Sequence, residues 1–207
     1  MKNNKTNKDI YKKEQETKIN IDENKKEFTI FIIGDECVGK TCFCTRLVDN
    51  YFQGNISKTG MTNYYQKNIK LYGNNIKCNI WDCPGDRRYF LKHFVKKADG
   101  IILLYDITNK NSFDNLEYWI DIIREQKSDD IVIFLAGNKE DLFEDQIIEK
   151  EQGQKFANEH GFIFAECSAS SNSNILFIFE KLDNIIYDNN QKEKQPQSYE
   201  EKSAKRI

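Results

Sequence analysis

The chain has 207 residues, with 31 lysines and arginines against 33 acidic residues and a net charge of −2. That length suits one domain with a tail or two and is enough to bury a core. The charge balance leaves no basic footprint for nucleic acid, no apolar stretch reaches the length of a membrane span, and no signal-peptide pattern opens the chain. The six cysteines, Cys37, Cys42, Cys44, Cys78, Cys83 and Cys167, form no C-x-x-C pair, and only His93 and His160 could join them. This argues against zinc and for free thiols in a reducing cytosol. For Cys37 and Cys83 too a neutral, structural role is the favoured reading, because reactivity needs exposure and a lowered pKa.

Residues 1–26 are rich in lysine, asparagine and glutamate and read as a disordered tail. Phe28 to Ile33 is an apolar, β-branched run that reads as a buried strand. Directly after it comes Gly34-Asp35-Glu36-Cys37-Val38-Gly39-Lys40-Thr41, which matches G-x-x-x-x-G-K-[ST]. Strand, glycine loop and a helix over Thr41 to Asn50 form the context a phosphate-binding loop requires. In that reading the glycines turn backbone N–H groups inward, the helix N-terminus adds partial positive charge, Lys40 reaches the β- and γ-phosphates, and the Thr41 hydroxyl binds Mg²⁺. The competing reading is a glycine turn followed by an exposed lysine.

A β-hairpin is expected next, Tyr64 to Leu71 and Asn75 to Trp81 around Tyr72-Gly73-Asn74. Gly100 to Tyr105 is continuously apolar, as in a strand covered on both faces. The spacing of Phe113, Leu116, Trp119, Ile120 and Ile123 predicts one helix over Ser112 to Gln126, with Trp119 assigned to the core. Ile131 to Ala136 is another buried strand, Lys150 to His160 a helix, Phe162 to Cys167 a last strand, and Ile175 to Tyr187 a final helix. The chain after about Asp188 reads as a second disordered tail, which leaves 27–187 as the folded domain. The alternation predicts an α/β fold with a six-stranded, mostly parallel sheet and helices on both faces. Such sheets bind ligands at the carboxyl ends of their strands.

The chemical residues stand at those ends. Trp81-Asp82-Cys83-Pro84-Gly85 places a carboxylate where it can hold Mg²⁺ through water and a glycine N–H where it can touch a γ-phosphate. Gly137-Asn138-Lys139-Glu140-Asp141 reads as the base site. The Asp141 carboxylate can accept from guanine N1–H and the 2-amino group, whereas adenine would leave it unpaired. Lys139 can lie along the base, Asn138 can tie loops together, and in Ser168-Ala169-Ser170 the Ala169 N–H can mark guanine O6.

These motifs, with Asn79-Ile80-Trp81-Asp82, Gly100 to Thr108 and Ser112-Phe113, resemble the small GTPases of the Ras superfamily, most of all the Rab branch, over about 27–187. The resemblance implies a P-loop GTPase domain that binds GTP and GDP with Mg²⁺ and switches conformation. It implies Thr41, Thr59 and Asp82 as the metal set and Phe52 packed on the guanine base. Nucleotide contacts would run over Gly34, Asp35, Glu36, Cys37, Val38, Gly39, Lys40, Thr41 and Cys42, then Thr59, Gly85, Asn138, Lys139, Asp141 and Ser168 to Ser170. Effector, exchange-factor or activating proteins would read a first switch at about 52–65 and a second at about 82–97. Tyr64 and Trp81 suit an aromatic effector surface or hairpin packing about equally. The implied setting is cytoplasmic, in vesicle trafficking or signalling, with recruitment to endomembranes by partner proteins.

The chain also departs from the family pattern. Lys40 and Thr59 of the hydrolytic set are present, but Asp86 stands where the family places the water-orienting glutamine. Glu36 stands where a small residue is preferred; its carboxylate could oppose the γ-phosphate or face solvent. Pro84 replaces a usual alanine, and the first switch reads Thr59-Gly60-Met61-Thr62-Asn63, unlike most Rabs. The last cysteine is Cys167 and residue 2 is Lys2, so neither a prenyl nor a myristoyl anchor is expected. Slow intrinsic hydrolysis is the expectation, and a non-catalytic guanine-nucleotide scaffold is the alternative. An ATP-using enzyme leaves Asp141 and the Ser168-Ala169 turn unexplained.

Overall fold

The computed structural model describes residues 26–54, 59–85, 95–126 and 131–193. Asp86, most of the second switch, residues 55–58 of the first, and residues 1–25 and 194–207 of the expected tails lie outside the described residues. In chain order the elements are β1 (Lys26–Ile33), α1 (Lys40–Asp49), β2 (Asn63–Leu71), β3 (Asn74–Asp82), β4 (Gly100–Asp106), α2 (Lys110–Asp114), α3 (Leu116–Gln126), β5 (Val132–Asn138), α4 (Lys150–His160), β6 (Ile163–Glu166) and α5 (Ile175–Glu193), with short 3-10 turns at Val95–Lys97 and Glu140–Asp145. The six strands form one sheet in the order β2-β3-β1-β4-β5-β6. Only the β2–β3 hairpin is antiparallel; the other pairs are parallel. The hairpin turns through Tyr72 and Gly73, both at positive φ (49° and 82°), which matches the right-handed twist of the flanking strands.

Strand alternation divides the core between the two faces of the sheet. Phe28, Ile30, Ile32, Ile102 and Leu104 pack with Phe43 and Leu47 of α1 and with Ile178, Phe179 and Leu182 of α5. Phe31, Ile33, Ile101, Leu103 and Tyr105 pack with Leu116, Trp119, Ile120 and Ile123 of α3 and Ala157 of α4. All seven residues of β4 are buried, as its unbroken apolar run predicts. β1 is flanked by β3 on one side and β4 on the other, so the chain winds outward from it in two directions. That switch point opens a crevice beyond the strand ends, and the glycine loop leaves β1 there.

Two helices differ from expectation. The single helix predicted over Ser112 to Gln126 is broken at Asn115 (φ −80°, ψ −2°), which caps α2 through its N–H to the Asn111 carbonyl. The final helix runs to Glu193 rather than ending at Tyr187. Tyr187 is its last core residue, and the polar residues beyond it extend the helix without an apolar face to betray it.

Candidate functional site

The phosphate end is built from the loop between β1 and α1. Gly39 sits before α1 at φ 95°, a left-handed conformation that a side chain strains, and a Cβ there would strike the Asn138 amide. No described side chain caps α1, so its first N–H groups face the crevice. Lys40 is only 5% exposed and donates from Nζ to the carbonyls of Gly34 (3.0 Å) and Asp35 (2.6 Å). Burial lowers its pKa, opposed chiefly by the nearby Asp82 carboxylate. An arriving phosphate would supply the anion that a buried ammonium needs. Gly85 closes over this loop: a Cβ there would meet the Glu36 amide and stand 2.6 Å from the Asp35 carbonyl carbon.

Beside Lys40, the Thr41 hydroxyl donates to Asp82 Oδ2 at 2.6 Å and stands 2.7 Å from the Thr59 hydroxyl. Asn63 Nδ2 also donates to Asp82 Oδ2, at 3.2 Å. Asp82 is fully buried, and its Oδ1 has no partner among the described residues. Burial raises its pKa, against the hydrogen bonds from Thr41 and Asn63 and the charge on Lys40. A buried, unpartnered carboxylate oxygen beside two hydroxyls fits Mg²⁺, which takes hard oxygen donors, few of them from protein. Thr41, Thr59 and Asp82 would hold it, and the ion when bound would neutralise charge on the phosphates.

The opposite end of the site, where the sequence places the base, is held by the loops after β5 and β6. The Asn138 amide donates to the Val38 carbonyl at 2.8 Å, and its oxygen accepts from Ala169 N–H at 3.3 Å, so it joins the phosphate loop to the last strand's loop. Ser168 Oγ donates to Asp141 Oδ1 at 2.5 Å, fixing the carboxylate. Lys139 lies at φ 72°, its ammonium 2.6 Å from Asp106 Oδ2. Arg46 of α1 donates to the carbonyls of Ala169 (2.8 Å) and Ser170 (3.2 Å) and lies over the Phe52 ring at 5.9 Å.

Between these ends is a cleft of about 370 Å³. Glu36, Cys37, Gly39, Lys40, Thr41, Cys42, Phe52, Thr59, Gly85, Asn138, Lys139, Asp141, Ala169 and Ser170 line it, and each is a residue expected from sequence to meet nucleotide. Gly34, Asp35, Val38, Asp82 and Ser168 stand behind that lining. Of these, Asp35 turns its carboxylate away from the cleft, towards Asn115 and Trp119. Leu142 and Gly54 line the cleft without having been singled out; neither carries a polar side chain that a motif would mark. Cys83 is buried, with its thiol pushed up to about 12 by burial, which favours the inert reading; Cys37 is exposed at φ 62°.

A model of the Ras family matches residues 29–188. The chain belongs to the Ras family. Within this family it is Rab-like: it is 37% identical over 182 residues to the Ras-related protein Rab-10 of Caenorhabditis elegans, covering 87% of this chain and 88% of that one. It is 37% identical over 155 residues to Rab-26 of Rattus norvegicus, covering 73% and 60%, and 34% identical over 168 residues to Rab-15 of Homo sapiens, covering 80% and 79%. The small-GTPase fold and the six-stranded sheet are thus established together. No helix among the described residues of this Rab-like chain is long and apolar enough to cross a membrane.

Proposed function

We propose that this Rab-like protein is a guanine-nucleotide switch that binds GTP and GDP with Mg²⁺ and hydrolyses GTP slowly. The observation that carries the reading is one cleft with Asp141 and the Ala169 loop at one end and Lys40, Thr41 and Thr59 at the other. Asp141, oriented by Ser168, selects guanine, and Lys40 and the α1 N-terminus neutralise the phosphates. Thr59 and Gly85, both on the cleft wall, respond to the γ-phosphate, so its loss relaxes the two loops.

Slow hydrolysis follows from Asp86, which is shorter than glutamine and cannot both donate and accept when ionised. Effectors and regulators would read the switches, and a role in vesicle trafficking, with recruitment to endomembranes through partners, fits the Rab-like relatives. A second reading, a non-catalytic scaffold held in one nucleotide state, is favoured by Glu36, an acidic residue in the lining of the cleft.

Single-turnover hydrolysis of GTP by purified protein with Mg²⁺ tests both. Phosphate release above the protein-free rate, raised sharply in Asp86→Gln, supports the slow switch. Intact bound GTP supports the scaffold, and turnover at the rate of an ordinary Rab overturns the reading of Asp86 and Glu36.

A further inference from the structure

In the glycine loop the Asp35 side chain reaches across the fold to the opposite layer. Its Oδ2 accepts from Asn115 Nδ2 at 2.6 Å and its Oδ1 from the Trp119 indole Nε1–H at 2.8 Å, over 80 and 84 residues of chain. Both donors are fixed from their own side. Trp119 is 1% exposed in the core between the sheet and α3. Asn115 occupies the break between α2 and α3, its N–H on the Asn111 carbonyl at 3.0 Å and its carbonyl accepting from Trp119 N–H at 3.3 Å.

The two carbonyls that grip Lys40 Nζ are those of Gly34 and Asp35, the peptides on either side of the Asp35 Cα. Pinning the Asp35 side chain therefore fixes the pivot about which both carbonyls turn. A carboxylate with a donor on each oxygen is a stiffer anchor than one neutral contact, because charge-assisted hydrogen bonds are about twice as strong.

We infer that Asn115 and Trp119 are positioning residues for nucleotide retention, acting through the Asp35 carboxylate on the peptides that hold Lys40. The inference rests on the guanine-nucleotide reading above. It makes the α2–α3 break a lever on the phosphate site, although neither residue lines the cleft.

The test is the release rate of methylanthraniloyl-labelled GDP from the full chain, wild type and Trp119→Phe, Asn115→Ala and Asp35→Ala variants, alone and combined. Trp119→Phe and Asn115→Ala are each expected to release GDP about tenfold faster, the worth of one hydrogen bond to a charged group, and Asp35→Ala, which loses both bonds, at least as fast. In the Asp35→Ala background, Trp119→Phe or Asn115→Ala should add less than about twofold, since the route is already cut. If Trp119→Phe does not fold, the Asn115→Ala cycle carries the same test. Unchanged rates in the single variants, or accelerations that multiply in the double variants, overturn the inference and leave Trp119 a packing residue. A wild-type protein that does not bind the labelled GDP overturns the nucleotide reading itself.

Discussion

Asp183 is a carboxyl buried in α5 against the sheet, and replacing it with asparagine should make the protein more stable at high pH. It is fully buried, Oδ1 has no partner among the described residues, and Oδ2 receives only the Cys78 thiol at 3.5 Å. Burial pushes its pKa up to about 8, opposed by the Cys78 hydrogen bond and aided by the nearby Glu180. The folded state therefore holds the proton more tightly than the unfolded chain. Stability from this group is complete below the unfolded pKa near 4, falls as pH rises towards 8, and is flat above it. At ~1.4 kcal/mol per pKa unit the ceiling is ~6 kcal/mol, and relaxation around a buried charge reduces the realised effect to ~2 kcal/mol. Asp183→Asn removes the titration while keeping the shape. Its buried amide gives back ~1 kcal/mol where a partner is lacking, so near pH 5 the variant should equal wild type or fall slightly below it. By pH 8.5 the net gain is ~1 kcal/mol, so it should melt ~2–4 °C higher in a domain of this size. Urea and thermal unfolding of GDP-loaded protein from pH 5 to 8.5 measure this, with other titrating groups cancelling in the difference. Parallel pH curves for the two proteins would refute the reasoning.

Asp141→Ala should lose the preference for GDP over ADP by at least ~100-fold, measured by competition against labelled GDP; a retained preference would move base selection elsewhere. Gly39→Ala should weaken GDP binding by ~100-fold or more, because its Cβ strikes the Asn138 amide at a left-handed φ, and calorimetry reads the loss. Asp82→Asn should remove most of the Mg²⁺ dependence of GDP release, so that EDTA no longer accelerates it as in wild type. Tyr105→Phe deletes a buried hydroxyl that has no partner among the described residues, and should leave stability unchanged or ~1 kcal/mol higher in urea; a loss above ~1 kcal/mol would mean that the hydroxyl is satisfied.

Most of the cleft was legible because its parts are local: a glycine loop, a carboxylate after β3, and two short loops after β5 and β6, each displayed at a strand end. What was not legible depends on residues brought together from far apart. Trp119 read correctly as core from helical spacing, but nothing near it announces a hydrogen bond to Asp35, 84 residues away. The break at Asn115 was hidden because Phe113, Leu116 and Trp119 keep helical spacing across it. Asp183 lies within the final helix, and sequence spacing alone does not say that its face meets Cys78 of β3. The extension of α5 to Glu193 was missed because an apolar stripe marks only the part of a helix that touches the core.

Helix α1 touches both ends of the cleft. Lys40 and Thr41 stand at its first turn, and Arg46 holds the Ala169 and Ser170 carbonyls from the second. The six-step rise of α-helix from Lys40 to Arg46 sets a rigid separation of ~9 Å along the axis. The helix thus works as a ruler between the charged and the aromatic parts of one molecule. A free base or a free phosphate can satisfy only one mark on that ruler. A ligand that spans both gains the second contact without a further loss of translational freedom, so on the proposed guanine-nucleotide reading the cleft would measure the whole nucleotide rather than either half.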